Sequence, residues 1–448
     1  MEQKAVLQPV FFTETNEREK EEYRIQLERL KKLYIDEAVF LEPVPVGSSC
    51  SGQADLLLFC QFIGAVFSHR EDIWLYGLPA IIMTSEFGTV EMWDWEIAAY
   101  LRENAGVEVY TPYNREMGAV ILRAAAAKRQ MKQGGKFLMF QDEPGEGKQA
   151  YIFKRFYWWE QECREQIEAA FGVKVVYRSY RRLNDRARSI PDDRAMAMWR
   201  ERTVPCEGLM EDAVLRAVKL YLAVKEEVDQ EGNVIGVGSN CLNESFLSDT
   251  TPCLAWNWCY EYDHLLWACE GDLVTLISEY VCYTALKKPV MMTNLYPFLV
   301  GMAALKHEKI EDFPDIDDPD NHALGVHCGY FGFAPQSFCT SWVMRPRVLV
   351  IVDDQAVVID CRMERGPVTL AKMHADMKHM TVIEAMIEDY VQYPGSDCRN
   401  GVLLRYKNGS GHQVMEHLSS HHAIIIAGDV TAMMKQVAGI YGMELEII

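Results

Sequence analysis

Cys269-Glu270-Gly271-Asp272 places two carboxylates one residue apart, after an apolar run (Leu265, Leu266, Trp267, Ala268) and before a stretch with helical periodicity. Leu273, Leu276, Ile277, Tyr280, Val281 and Thr284 recur at three and four residues, which predicts a helix with one buried face. Acidic residues in a first helical turn are ordinary caps, and capping is the readier explanation for Asp272. Glu270 differs, because a carboxylate behind so apolar a run needs a cation, a metal or a hydrogen-bond partner. After the helix, Lys287-Lys288 suit its last turn and Pro289 stops it. Val290 to Thr293 then forms a short strand ending at Asn294. Two histidine positions also end or begin apolar runs: His327 in Gly325–Gly329, and His421-His422 before Ala423–Ala427. Side chains of these types hold divalent cations, but residues this far apart converge only through the fold.

The elements that must bring them together are legible in outline. A chain of 448 residues with 49% apolar content exceeds one ordinary core. Strands at Pro79–Met83 and Val107–Tyr110, with helices to about Glu103 and from Arg115 to Gln133, mark a layered parallel α/β domain over residues 1–135. Gly47–Gly52 reads as a small-residue loop before a helix near Ala54, a turn with anion-binding potential but no complete phosphate-loop pattern. A second α/β domain, residues 136–296, carries the Cys-Glu-Gly-Asp segment. Its strands fall at Lys136–Phe140, Val173–Tyr177 and Asn233–Val237, with helices over Phe153–Phe171 and Met210–Val228. Residues 297–448 change character. Short apolar runs (Ala323–Phe331, Val348–Asp353, Gln355–Cys361, Val368–Met373, Val402–Tyr406, Gln413–His417, Ala423–Ile426) separated by Gly, Asp and Asn predict an antiparallel, barrel-like β domain. It closes with a helix over Val430–Tyr441 and a last strand.

Composition excludes several classes. The net charge is −20 with no long basic stretch, which argues against nucleic acid as a partner; the basic island Arg178, Arg181, Arg182, Arg186 and Arg188 could meet an anionic substrate or a neighbouring subunit's acidic surface, but reads more readily as a solvated face. No apolar run approaches the roughly 20 residues of a membrane helix, and the N-terminus has no signal-peptide layout. The 13 cysteines include no Cys-x-x-Cys pair, the usage of reduced thiols in a cytoplasmic protein. Glu86, Trp93 and Trp95 offer an aromatic surface for a sugar, although such a stripe is more often core.

In order and type, Cys269–Asp272 with its helix, the strand to Asn294, His327-Cys328 and Ser420-His421-His422 resemble the L-fucose/L-arabinose isomerase-like family, best over residues 230–448. The resemblance implies two α/β domains and a barrel-containing third. It also implies a homo-oligomer (hexamer or trimer), Mn2+ or another divalent cation, and a small-molecule sugar as substrate. Glu270 matches the family's metal-binding and acid–base glutamate, and His422 its C-terminal histidine ligand. His327 resembles a metal-binding histidine of the arabinose branch. Position 294 is an acidic ligand in L-fucose isomerases and is Asn294 here. An amide oxygen ligates a hard cation but accepts no proton as a base. The second acid–base role then passes to Asp272 or to a metal-bound water, or the reaction differs from simple isomerisation. The expected activity is aldose–ketose isomerisation of a pentose or deoxyhexose through a cis-enediol. Epimerase or aldolase chemistry on the same scaffold, or sugar binding without catalysis, are the alternatives.

Overall fold

The computed structural model describes residues 3–142, 156–241, 248–298, 316–326, 334–346, 356–392 and 400–448. The chain divides into two compact units. The first is Met1–Lys132 with Thr284–Lys287 and Ala432–Gly442, and the second is Gln133–Tyr283 with Lys288–Thr431 and Met443–Ile448.

The first unit is built on a parallel sheet of β1 (Ala5–Phe11), β2 (Ala38–Phe40), β3 (Val44–Pro45), β4 (Leu56–Phe59), β5 (Ala80–Ile82) and β6 (Val109–Tyr110). Its order is β2-β1-β4-β5-β6, with β3 also on β1. The helix expected near Ala54 is instead β4. Leu56, Leu57, Leu58 and Phe59 are all buried, and β4 lies between β1 and β5. A central parallel strand is apolar on both faces, so it lacks the alternation that separates strand from helix. With no helix there, the anion-binding potential of Gly47–Gly52 loses its helix N-terminus. The helix Glu17–Leu33 starts with a capping box, Asn16 and Glu19 each bonding the other's backbone N–H, and buries Tyr23, Gln26, Leu27 and Leu30.

In the second unit β7 (Lys136–Phe140), β8 (Lys174–Arg178), β9 (Val234–Ser239) and β10 (Leu266–Ala268) form a parallel sheet of order β10-β9-β7-β8. The chain places β8 on one side of β7 and β9 on the other. The loops leaving β7 and β9 therefore diverge, which opens a crevice at the carboxyl ends of the strands. Gln141, Asn240 and Glu270 follow β7, β9 and β10 at that edge.

A closed antiparallel barrel completes this unit. After β11 (Val290–Pro297) and β12 (His322–Val326) comes a two-stranded ribbon, β13 (Cys339–Pro346) with β14 (Val357–Met363). Then follow β15 (Gly366–Met373), β16 (His379–Gln392), β17 (Asn400–Tyr406), β18 (His422–Ala427) and β19 (Glu444–Ile447). The ring runs β15-β18-β11-β12-β17-β16 and closes by pairing of β15 with β16, while β19 adds to β16 in parallel. The mixed α/β architecture with two parallel sheets and a C-terminal antiparallel barrel is thus the expected one. Besides β4, its details differ at three places. The strand that carries Asn294 pairs in the barrel with β18 and β12, not in a parallel sheet. Gln413–His417 is part of a helix, Gly411–His417, because Ser410 and Gln413 form a capping box that starts a turn. The long strand His379–Gln392 had no counterpart in the sequence reading. The expected strand Val348–Asp353 lies outside the described residues.

Three arginines of the basic island pair within the second unit. Arg178 bonds Glu231, Arg186 bonds Glu227, and Arg188 grips Asp249 through two 2.7 Å bonds. Among the described residues no helix is long and apolar enough to cross a membrane.

Candidate functional site

The chain leaves β10 at Ala268 and turns through Cys269–Gly271 before the helix Leu273–Leu286. Glu270 takes φ 56°, ψ 13°, and Gly271 follows at φ 65°, so two successive residues are left-handed. For a glutamate this conformation costs on the order of 1–3 kcal/mol, which the surroundings must offset. The Trp159 indole does so in part, donating to the Glu270 carbonyl at 2.7 Å. At Gly271 a Cβ would lie 2.7 Å from Gln141 Oε1, so any other residue would have to displace that side-chain end as well as adopt a positive φ. The turn delivers the Glu270 side chain into protein, 3% exposed.

Asp272 divides its oxygens between two tasks. Oδ1 accepts the Thr275 backbone N–H at 2.9 Å and caps the helix. Oδ2 accepts from Thr275 Oγ1 at 2.7 Å, Lys372 Nζ at 3.0 Å and His422 Nδ1 at 2.7 Å. Both Asp272 and Lys372 are buried. Burial alone would raise this carboxyl, but the Lys372 charge and the bond to His422 hold it well below the usual carboxylate range. An ionised Asp272 only accepts, so Nδ1 of His422 carries the hydrogen and Nε2 points away from it. That nitrogen faces Glu270 Oε2 at 3.3 Å. Burial would lower the His422 imidazole, yet the Glu270 carboxylate and the Asp272 bond raise it. Next to it His421 is pushed down by the protein around its ring and by the His422 charge.

Asn294 joins from the barrel. It stands directly opposite His422 in the β11–β18 ladder, so both side chains lie on one face. Its Oδ1 is buried without a hydrogen-bond partner, and His422 Nε2 likewise completes no hydrogen bond. The Trp158 ring lies 4.8 Å from the His422 ring and covers it. Around the carboxyl edge of the parallel sheet, Gln141 Oε1, Ser239 Oγ and both polar atoms of Asn240 are buried and unpaired as well. Unpaired buried polar groups cost about 1–3 kcal/mol each, so such a concentration is the mark of a ligand site.

Of the five residues singled out from sequence, four converge: Glu270, Asp272, Asn294 and His422. His327 lies outside the described residues. Among the described residues no three His, Cys, Asp or Glu side chains are grouped to hold a metal ion. The available donors are one carboxylate, one imidazole and one amide oxygen. A divalent cation fits that set, since Asn294 Oδ1 is a lone-pair donor left over inside the protein, and a cation displacing the proton from His422 Nε2 would find a second one beside the Glu270 carboxylate. Asp272 supplies the carboxylate that commonly orients a ligating histidine.

Two residues escaped sequence reading. Lys372 sits in the apolar run Val368–Met373, where one lysine reads as the solvent side of a strand. Its amine instead reaches Asp272 and donates to Thr275 Oγ1 at 2.5 Å. Glu279 lies seven residues after Asp272 on the same helix, fully buried, and neither of its oxygens completes a hydrogen bond. Burial and the Asp272 charge push its carboxyl well above the usual range, and Lys372 and the Met292 N–H do not offset them.

A cavity of about 470 Å³ in the first unit is lined in part by Glu19, Glu22, Arg29, Glu86 and Asp94. Glu22 and Glu86 around it are exposed and Glu19 and Asp94 half-buried, whereas Glu270 and Asp272 of the second unit are buried and both face His422. No protein-family model matches the chain, and no curated protein matches it.

Proposed function

We propose that the chain is a metal-dependent aldose–ketose isomerase acting on a pentose or deoxyhexose. The observation that carries the reading is the convergence of Glu270 Oε2, His422 Nε2 and the unpaired Asn294 Oδ1, with Asp272 fixing the imidazole from behind. It agrees with the order of motifs that resembles the L-fucose/L-arabinose isomerase-like family.

Glu270, His422 and Asn294 would hold Mn2+ or a similar divalent ion, with His327 as a further donor in the proposal. Bound there, the ion supplies Lewis acidity at the sugar's carbonyl and neighbouring hydroxyl oxygens. Glu270 takes the proton from C2 of the open-chain aldose and returns it to C1, through a cis-enediol. Asp272 keeps its charge and holds His422 Nδ1–H. Three donors already occupy its Oδ2, so its part is positioning. Gln141, Ser239 and Asn240 offer hydrogen bonds to sugar hydroxyls, and Trp158 excludes water from the His422 side. A homo-oligomer belongs to the same proposal.

The amide of Asn294 favours a second reading. It cannot move a proton, and Asp272 is held behind the imidazole, so Glu270 is the one carboxylate free to do so, as suits epimerisation or retro-aldol cleavage on this scaffold. Incubation with a panel of pentoses and deoxyhexoses in D2O with Mn2+ separates the readings. Deuterium at C1 or C2 of an aldose–ketose pair, abolished by Glu270→Gln, is the expected result. Two shorter carbonyl products would select the aldolase instead, and exchange undiminished by Glu270→Gln would remove this site from the reaction.

A further inference from the structure

The sulfurs of Cys241 and Cys269 lie 2.9 Å apart. These thiols sit at the two ends that form the candidate site. Cys269 is the first residue after β10 and immediately precedes Glu270. Cys241 is two residues beyond β9, whose Gly238 pairs with Ala268 in the parallel ladder. A disulfide is about 2.05 Å long, so closing the pair takes a movement of under an ångström. Cys269 is buried at 1% exposure, whereas Cys241 is partly exposed, so an oxidant meets one sulfur and the second waits behind it. Burial raises the Cys163 thiol, up to about 12, which keeps it out of such chemistry.

We propose that Cys241 and Cys269 are an oxidative modification site, closed by hydrogen peroxide into a reversible disulfide that fastens the Glu270 turn to the loop after β9. In the first step Cys241 Sγ attacks one peroxide oxygen, the O–O bond breaks and water leaves, giving a sulfenic acid. In the second, Cys269 Sγ attacks Cys241 Sγ, the S–O bond breaks and a second water leaves. Two thiol hydrogens and the peroxide depart as two waters, and both sulfurs are oxidised by one electron each. A thiol donor reverses the reaction.

The consequence for Glu270 follows from the backbone. Glu270 and Gly271 are both left-handed, and Gly271 leaves no space toward Gln141. A pull on Cys269 therefore cannot be absorbed by the next two residues without moving the Glu270 carboxylate. This second part rests on the metal site proposed above, and the first part does not.

The test uses the full-length chain. It is reduced, exposed to hydrogen peroxide, blocked with iodoacetamide under denaturing conditions and digested without reductant. The expected product is a peptide pair linked through Cys241 and Cys269, lighter by two hydrogens, lost on dithiothreitol treatment and absent from Cys241→Ser. Recovery of both thiols fully alkylated, at a dose that oxidises the exposed Cys206, would overturn the modification site. In parallel, Mn2+ binding is titrated on reduced and oxidised chain. At least a tenfold weaker binding after oxidation, restored by dithiothreitol and not seen in Cys241→Ser, is expected. An unchanged affinity despite the linked peptide overturns the coupling to Glu270. No Mn2+ binding by the reduced chain counts against the metal reading, and the linked peptide alone then decides the modification site.

Discussion

Nδ1 of His422 lies 2.7 Å from Oδ2 of Asp272, across 150 residues of sequence, and this bond decides which face of the imidazole Glu270 meets. Removing the charge of Asp272 loosens that orientation. Carboxylates behind a ligating histidine typically contribute 10–100-fold in metal affinity, so Asp272→Asn is expected to weaken Mn2+ binding by about that factor. Calorimetric titration of the folded variant checks it, and unchanged affinity would detach Asp272 from the site.

Lys372 neutralises the same oxygen from β15, with both side chains buried. Taking away one partner of a buried pair leaves an uncompensated charge, at a cost of about 3–5 kcal/mol. Lys372→Met is therefore expected to lower the urea midpoint of the second unit strongly. A variant as stable as the parent chain would mean that Asp272 does not need the amine.

Glu279 gives a pH dependence with a definite sign. Its folded carboxyl titrates well above the unfolded value of 4.5, so the folded chain binds more protons between the two. The linkage slope is then negative: this contribution is fully present below pH 4.5 and is lost as pH rises towards the folded pKa. Glu279→Gln keeps the shape without the titration. It is expected to gain stability over the parent chain as pH rises from 5 to 8. Melts across that range with a constant difference would place Glu279 in a satisfied environment.

Gly271 and Gly232 share a positive φ, 65° and 64°, that favours glycine, but of the two only Gly271 has a neighbour where a Cβ would go. Ala at either position costs on the order of 1–3 kcal/mol for the backbone. Gly271→Ala is expected to cost more, because Gln141 Oε1 must yield, and to weaken Mn2+ binding through Glu270. Gly232→Ala is expected to leave binding unchanged. Equal effects of the two on both stability and binding would deny the turn its role.

The site was legible where residue type and chain order carry it. Glu270 and His422 stand beside apolar runs, and the barrel strands that hold His422 and Asn294 show as short runs between turn residues. Lys372 and Glu279 were not legible. Each occupies a position whose local pattern allows solvent, and burial follows only from the packing of β15 and of the helix Leu273–Leu286. β4 and Gly411–His417 went astray because a short apolar run has no period long enough to separate helix from strand. The strand His379–Gln392 was hidden by Glu384, Glu388 and Asp389, which pair with Lys407, Arg405 and Arg365 on the barrel surface.

The most direct measurement is the Mn2+ content of the parent chain after gel filtration, beside Glu270→Gln and His422→Ala. The account expects about one ion per chain, lost in both variants while their circular dichroism stays that of the parent. A parent chain that holds no Mn2+, or variants that hold as much as the parent, would contradict a metal site at Glu270, Asn294 and His422.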